Sequence, residues 1–274
     1  MKLVRWGDAG AEKPGVLDAN GAVSDLSGVV GDIDGATLGN LPQVDPETLP
    51  LVGDTRLGPC VARPGKLVCV GLNYADHAAE GGWDVPTEPV LFQKATTSIS
   101  GPTDPVIIPP GSEKLDWEVE LAFAIGKKAT RVPAGQGGDH IAGYCVLNDV
   151  SERAYQQEHG GQWTKGKSCD TFAPTGPWLV TADEVSDPAT LGIWLEVDGQ
   201  RMQDGNTDTM IFKPDFLVEY ISRFMTLEPG DLVTTGTPPG VGLGRTPQVF
   251  LKAGQTMRLG IDGLGEQNLP VVQG

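Results

Sequence analysis

The chain has 274 residues, 39% of them hydrophobic and 20% charged, with a formal net charge of −16 and a pI near 4.5. This balance describes a globular protein rather than a disordered or membrane-embedded one, and it argues against a nucleic-acid or anionic-membrane surface. The 38 Gly and 22 Pro, with few long helical patterns, point to a mixed α+β fold that is mostly β.

Residues 1–62 read as a small N-terminal β module and residues 63–274 as a larger catalytic domain, with Gly58-Pro59 and Arg63-Pro64-Gly65 punctuating the boundary. The module opens on a strand pattern at residues 2–6. A hairpin pattern at 15–23 is centred on Asn20-Gly21, a pair that favours a type I′ turn. Residues 26–51 are acidic and irregular. The N-terminus lacks an apolar leader core, and no stretch is apolar enough to span a bilayer, so a cytoplasmic location is expected. Cys60, Cys69, Cys145 and Cys169 show neither a C-x-x-C pair nor zinc spacing, which suits a reducing compartment.

The second part begins with an apolar strand at 66–72. A short helix follows at 73–82, with Asn73 as its expected cap and glycine as its end. Strands follow at 89–94 and 106–109. At 115–125, Trp117, Val119, Leu121, Phe123 and Ile125 alternate with Glu118, Glu120, Ala122 and Ala124, a period-two strand with a large apolar face. Its two carboxylates point the same way, about 7 Å apart along the chain. Such a pair is either a solvated acidic face or a cation site. A buried strand at 141–150 ends in Asn148-Asp149, and residues 151–158 read as a helix behind a Ser151 cap. Later strands fall at 178–180, 192–199 (closing on an Asp198-Gly199 turn), 232–237 and 256–261. The best amphipathic helix covers 214–224.

Four groups of residues bear on chemistry. Asp149 ends an apolar strand, either as a turn residue or as a third acid beside Glu118 and Glu120. Three hard oxygen donors without His or Cys suit Mg²⁺, Mn²⁺ or Ca²⁺. His77 and Glu80, at i and i+3, share a helix face. The carboxylate can orient the imidazole as a base for water, or the two form an ordinary solvated pair. Residues 161–168 match the phosphate-loop pattern G-x-x-x-x-G-K-[ST] letter for letter. A polar segment precedes them, however, and Pro174, Gly176 and Pro177 follow, where that motif needs a strand and then a helix. Lys167 is better read as a cation facing an anionic ligand. The loop 236–244 offers backbone N–H groups and the Thr237 hydroxyl.

Taken in order, Gly71-Leu72-Asn73-Tyr74-x-x-His77-x-x-Glu80, Asp116-Trp117-Glu118-x-Glu120, Asn148-Asp149-Val150-Ser151-x-Arg153, Gly166-Lys167-Ser168-x-Asp170, Gln203-Asp204-x-Asn206-Thr207 and Thr235-Gly236-Thr237-Pro238 resemble the fumarylacetoacetate hydrolase family over roughly residues 66–272. The resemblance implies a mostly β catalytic fold, usually a homodimer, with a Mg²⁺ or Mn²⁺ cofactor held at Glu118, Glu120 and Asp149. It places His77 and Glu80 as the water-activating pair and Lys167 as a further catalytic cation. Tyr74, Lys94, Arg153, Gln156 and Thr237 fall at substrate positions. The implied substrate is a small anionic 2-oxo acid. The implied reaction is hydrolysis of a 2,4-dioxo acid (an acylpyruvate or a 2,4-dioxo-3-deoxy sugar acid) to pyruvate and a carboxylic acid. Alternatives are decarboxylation of oxaloacetate, isomerisation or decarboxylation of a hydroxyheptadienedioate-type acid, or metal binding without catalysis. The retained His77/Glu80 pair argues against the last, because a binding protein needs no base.

Overall fold

In a computed structural model, residues 1–81 and 84–274 are described. A nine-stranded sheet runs in the order Val23–Asp25, Lys13–Leu17, Lys2–Trp6, Leu179–Thr181, Ile141–Asn148, Val119–Ile125, Leu232–Thr234, Leu67–Gly71, Val90–Lys94. A five-stranded sheet runs Gln200–Asn206, Gly192–Val197, Thr256–Ile261, Gly265–Gln273, Val106–Ile108. The fold is mostly β, as the glycine and proline content implies. The N-terminal strands continue the large sheet: Lys2 and Leu3 pair with Val180 and Leu179.

The acidic strand departs from its expected form. It is interrupted at Trp117–Glu118, between Leu115–Asp116 and Val119–Ile125, and it is buried on both faces. Val119, Leu121, Phe123 and Ile125 belong to a core shared with Leu195, Leu259 and Leu269 of the five-stranded sheet. Ala122 and Ala124 belong to a second core with Leu26, Ile33, Cys60 and Val61. The small alternate side chains leave room for the irregular N-terminal segment to cover a face that period two alone assigns to water. Glu118 and Glu120 lie at 7% and 2% exposure, so the solvated reading of this pair fails.

Several local expectations are corrected by what the side chains bind. Only Gly21 of the Asn20-Gly21 pair has positive φ. Asp18 accepts hydrogen bonds from the Asn20 and Ala22 amides and closes a wider loop. At Asp198-Gly199 both residues have positive φ, as a type I′ turn demands. The helix Ala75–Gly81 is not capped by Asn73. That amide bonds Phe212 and Thr235, tying the helix entry to distant loops. The expected glycine end at Gly82 lies outside the described residues. The cap of Arg153–Gln157 is Glu152 rather than Ser151, which pairs in a short strand with Asp116. Phe224 falls beyond the end of Pro214–Ile221 and is 64% exposed. All four cysteines are free thiols, Cys60, Cys69 and Cys145 being buried. Among the described residues, no helix is long and apolar enough to cross a membrane.

Candidate active site

Glu118, Glu120 and Asp149 each offer an oxygen within 4.8 Å of the others. Their separation is set by backbone. The Glu118 amide donates to the Asn148 side chain (3.1 Å), and the Asp149 amide donates to the Glu118 carbonyl (2.9 Å). Glu120 sits opposite Leu147 in the antiparallel pair and accepts from the Gly236 amide at 2.9 Å. Gly236 has φ +86, where a Cβ would lie 3.0 Å from Asn73 Cβ, so only glycine presents this amide without strain.

Three cations balance these acids. Lys167 Nζ donates to Glu118 Oε2 (2.6 Å) and Asp149 Oδ2 (2.7 Å). Lys94 Nζ donates to Asp149 Oδ1 (2.5 Å) and the Val150 carbonyl. Arg153 Nη2 donates to Glu118 Oε1 (2.7 Å), and its Nε to Asp116 Oδ2 (2.8 Å). With Asp116 included, four buried carboxylates face three cations. Burial opposes ionisation of Glu118, but Arg153 and Lys167 outweigh it and hold that carboxyl well below the usual range. Glu120 is the one left over. Burial, then the charges of Asp149 and Glu118, push its carboxyl well above the usual range. Among the described residues it has no lysine or arginine ion pair. A cluster of hard oxygen donors lacking one positive charge is what a divalent cation satisfies. The residues therefore fit a divalent metal ion.

The triad, Lys167, Arg153 and His77 line one cavity of about 190 Å³. His77, 7% exposed, has its Nδ1 3.0 Å from Glu80 Oε2. Glu80 also accepts from the Gly240 amide at 3.0 Å. Burial raises the Glu80 carboxyl, but the His77 and Gly240 hydrogen bonds outweigh it and bring it below the usual carboxylate value.

The expected substrate contacts divide. Arg153 and Gln156 reach the cavity, with Arg153 Nη1 donating to Gln156 Oε1. Thr237 reaches it too, but its hydroxyl proton is committed to the Val119 carbonyl, and it accepts from Gln203. The hydroxyl therefore faces a ligand as an acceptor. Lys94 is absent from the wall. Its ammonium lies behind Asp149, so the structure places it as a counter-ion rather than a substrate contact. Tyr74 is likewise absent. It is fully buried in the main core, bridged to Met210.

Four residues at the site receive no role from sequence reasoning. Asn148 fixes Glu118, Gln203 holds both Thr237 and the Val119 amide, and Phe92 and Trp163 form an edge-on pair on the cavity wall. Gln203 is a buried amide within the polar stretch of Gln200–Asn206, and no sequence period marks it. Residues 161–168 form no phosphate loop. They follow the helix Arg153–Gln157, contain a single turn at Thr164–Lys167, and turn Lys167 onto the acids.

Comparison with known proteins agrees with this architecture. The fumarylacetoacetate hydrolase C-terminal family model matches residues 66–272. A Burkholderia ambifaria protein, named only as a candidate hydrolase, is 61% identical over 97% of each chain. The solved fumarylacetoacetate hydrolase of Exiguobacterium antarcticum superposes with a TM-score of 0.89 at 36% identity, covering 100% of both chains. A 2-hydroxyhepta-2,4-diene-1,7-dioate isomerase from Mycobacterium marinum gives 0.74 at 35% identity, covering 100% of this chain and 98% of its own. The chain belongs to the fumarylacetoacetate hydrolase family, whose members include hydrolases and isomerases.

Proposed function

We propose that the protein hydrolyses the C–C bond of a 2,4-dioxo acid, an acylpyruvate or a 2,4-dioxo-3-deoxy sugar acid, to pyruvate and a carboxylic acid. One observation carries the reading: an imidazole oriented by a carboxylate opens onto the same cavity as the acidic triad and two buried cations. A divalent cation held by Glu118, Glu120 and Asp149 would supply Lewis-acid polarisation of the 2-oxo group and carboxylate. Arg153, braced by Asp116 and Glu118, is oriented to receive the substrate carboxylate. Glu80 orients the His77 ring through Nδ1, and the imidazole acts as the base that takes a proton from water. The resulting hydroxide adds to C4, the C3–C4 bond breaks, and its electron pair moves to the enolate of pyruvate. The imidazolium of His77 returns its proton to C3 to complete pyruvate, and the acyl group leaves as the carboxylic acid, which ionises in water. The Lys167 ammonium, kept charged by Asp149 and Glu118 despite burial, stabilises the enolate as it forms.

Isomerisation of a dienedioate is the second reading, supported by the likeness to the Mycobacterium marinum isomerase. It uses the same enolate stabilisation without water attack. The deciding experiment is a pyruvate-release assay over acylpyruvates, dioxo sugar acids and oxaloacetate, each with Mg²⁺ and Mn²⁺. Metal-dependent release from a dioxo acid is expected. Absence of release from every dioxo acid, with ultraviolet changes on a dienedioate, would replace hydrolysis by isomerisation.

A further inference from the structure

Asp116 does not line the cavity of the triad, yet it is fully buried and both of its oxygens are filled. Oδ1 accepts from the Trp117 amide (2.9 Å) and the Gly242 amide (2.7 Å). Oδ2 accepts from the Leu243 amide (2.9 Å) and Arg153 Nε (2.8 Å). Its neighbour Trp117 donates through Nε1 to the Gly240 carbonyl at 3.2 Å. The same Gly240 gives its amide to Glu80, which orients His77. On the other side, Arg153 Nη2 reaches Glu118. Hydrogen bonds thus tie the triad and Arg153 to Asp116, and Asp116 and Trp117 to the loop 240–243, whose short covalent run carries the connection on to Glu80 and His77.

We propose that Asp116 is a positioning residue that registers the water-activating pair against Arg153, with Trp117 as its second tie to the same loop. The kinetic part of this rests on the hydrolase reading, whereas the coupling itself does not. A carboxylate in this position serves both directions at once. It is the counter-ion that fixes the face of the guanidinium, and the acceptor that draws two loop amides inward. The loop approaches backbone-first because Gly242 has no Cβ. One would stand 2.7 Å from Asp116 Oδ1 and 1.9 Å from the Val249 carbonyl. Holding a base and a binding group within a fraction of an ångström matters, since a misplacement of about 1 Å costs on the order of 10²-fold in rate.

Asp116→Asn keeps the size but turns one acceptor into a donor. All of its present partners are donors, so a contact is lost whichever way the amide sits. Hydrogen exchange on the metal-free protein is the first readout. The Gly240, Gly242 and Leu243 amides should exchange at least about tenfold faster in Asp116→Asn, while those of Val119–Ile125 are unchanged. In the assay, kcat should fall roughly 10²-fold with Mn²⁺ affinity within about threefold of wild type, and the double variant with His77→Ala should lose no more than His77→Ala alone. Additive losses, or faster exchange at Gly242 and Leu243 with Gly240 unmoved, would overturn the proposal. If the wild-type protein cleaves no dioxo acid, the hydrolase reading fails and the exchange result still decides the coupling. Should Asp116→Asn not fold, Trp117→Phe removes the Nε1 donor to Gly240 together with part of a buried ring, and faster exchange at Gly240 with the same kinetic loss is expected of it.

Discussion

Lys167→Met tests whether the buried acids form a cation site or a self-sufficient ion cluster. The Lys167 ammonium bonds Glu118 and Asp149 at 2.6 and 2.7 Å with its side chain 3% exposed, and methionine keeps an unbranched chain without charge. Removing one member of a buried pair costs about 3–5 kcal/mol. At roughly 2 °C per kcal/mol for a chain of this size, the metal-free melting temperature should drop by about 6–10 °C. Divalent-cation affinity should move the other way. Unit charges about 4 Å apart interact by about 4 kcal/mol at an effective dielectric of 20. Loss of a competing cation therefore favours a metal, and even if relaxation absorbs most of this, a gain of about 1.4 kcal/mol is tenfold in Kd. Calorimetric titration of metal-free protein with Mn²⁺ reads the affinity, and melting curves with and without Mn²⁺ read the rescue. The expected result is tighter binding, a larger metal-induced rise in melting temperature, and lost turnover. Weaker Mn²⁺ binding by a folded Lys167→Met protein would refute the reasoning. It would show that the lysine preorganises the carboxylates rather than standing where a cation belongs.

His77→Ala should lower dioxo-acid hydrolysis by about 10²–10⁴-fold, while any metal-driven oxaloacetate decarboxylation survives. Equal loss of both activities would remove His77 from the role of water base. Glu80 titrates below the ordinary glutamate value of 4.5, so its ionised form stabilises the folded arrangement above that pH, and the contribution fades as pH falls through the folded value. Protection of the Gly240 amide should accordingly hold from pH 7 down to about 4.5 and fail only below it, and early loss between pH 6 and 5 contradicts the hold of ionised Glu80 on that amide. Mg-ATP should raise the melting temperature no more than Mg²⁺ alone, because Lys167 is turned onto two carboxylates. A saturable extra rise would revive the phosphate loop.

Much of the fold was legible because it rests on local pattern. The strands Lys2–Trp6, Leu67–Gly71 and Ile141–Asn148 follow apolar runs bounded by turn residues, and Asp198-Gly199 carries its turn in two residues. Two of the errors come from partners far away in the chain. Asn73 has the right residue type for a cap but bonds residues 212 and 235. Helix propensity contains nothing about Phe212. Burial of both faces of Val119–Ile125 was hidden for the same reason: Ala122 and Ala124 read as neutral until Leu26 and Ile33 arrive from another part of the chain.

The acids of the site could be found from sequence, but their charge balance could not. Alternation put Glu118 and Glu120 on one side, and the apolar run before Asp149 made its carboxylate costly to bury alone. What decides their chemistry is that Lys94 and Lys167 both spend their charge on Asp149 and Glu118, leaving Glu120 with a backbone amide and two negative neighbours. Had either lysine reached Glu120 instead, the cluster would still lack one positive charge, but the deficit would fall on another acid, so the pairing decides which carboxyl is left over. The three-residue stretch Asp116-Trp117-Glu118 adds what periodicity cannot express. Where the strand breaks, one side chain turns to the cation site and two hold the loop that anchors Glu80. A break at that point lets one short segment set the distance between the binding group and the base, a distance that two separately hung loops would have to meet by chance.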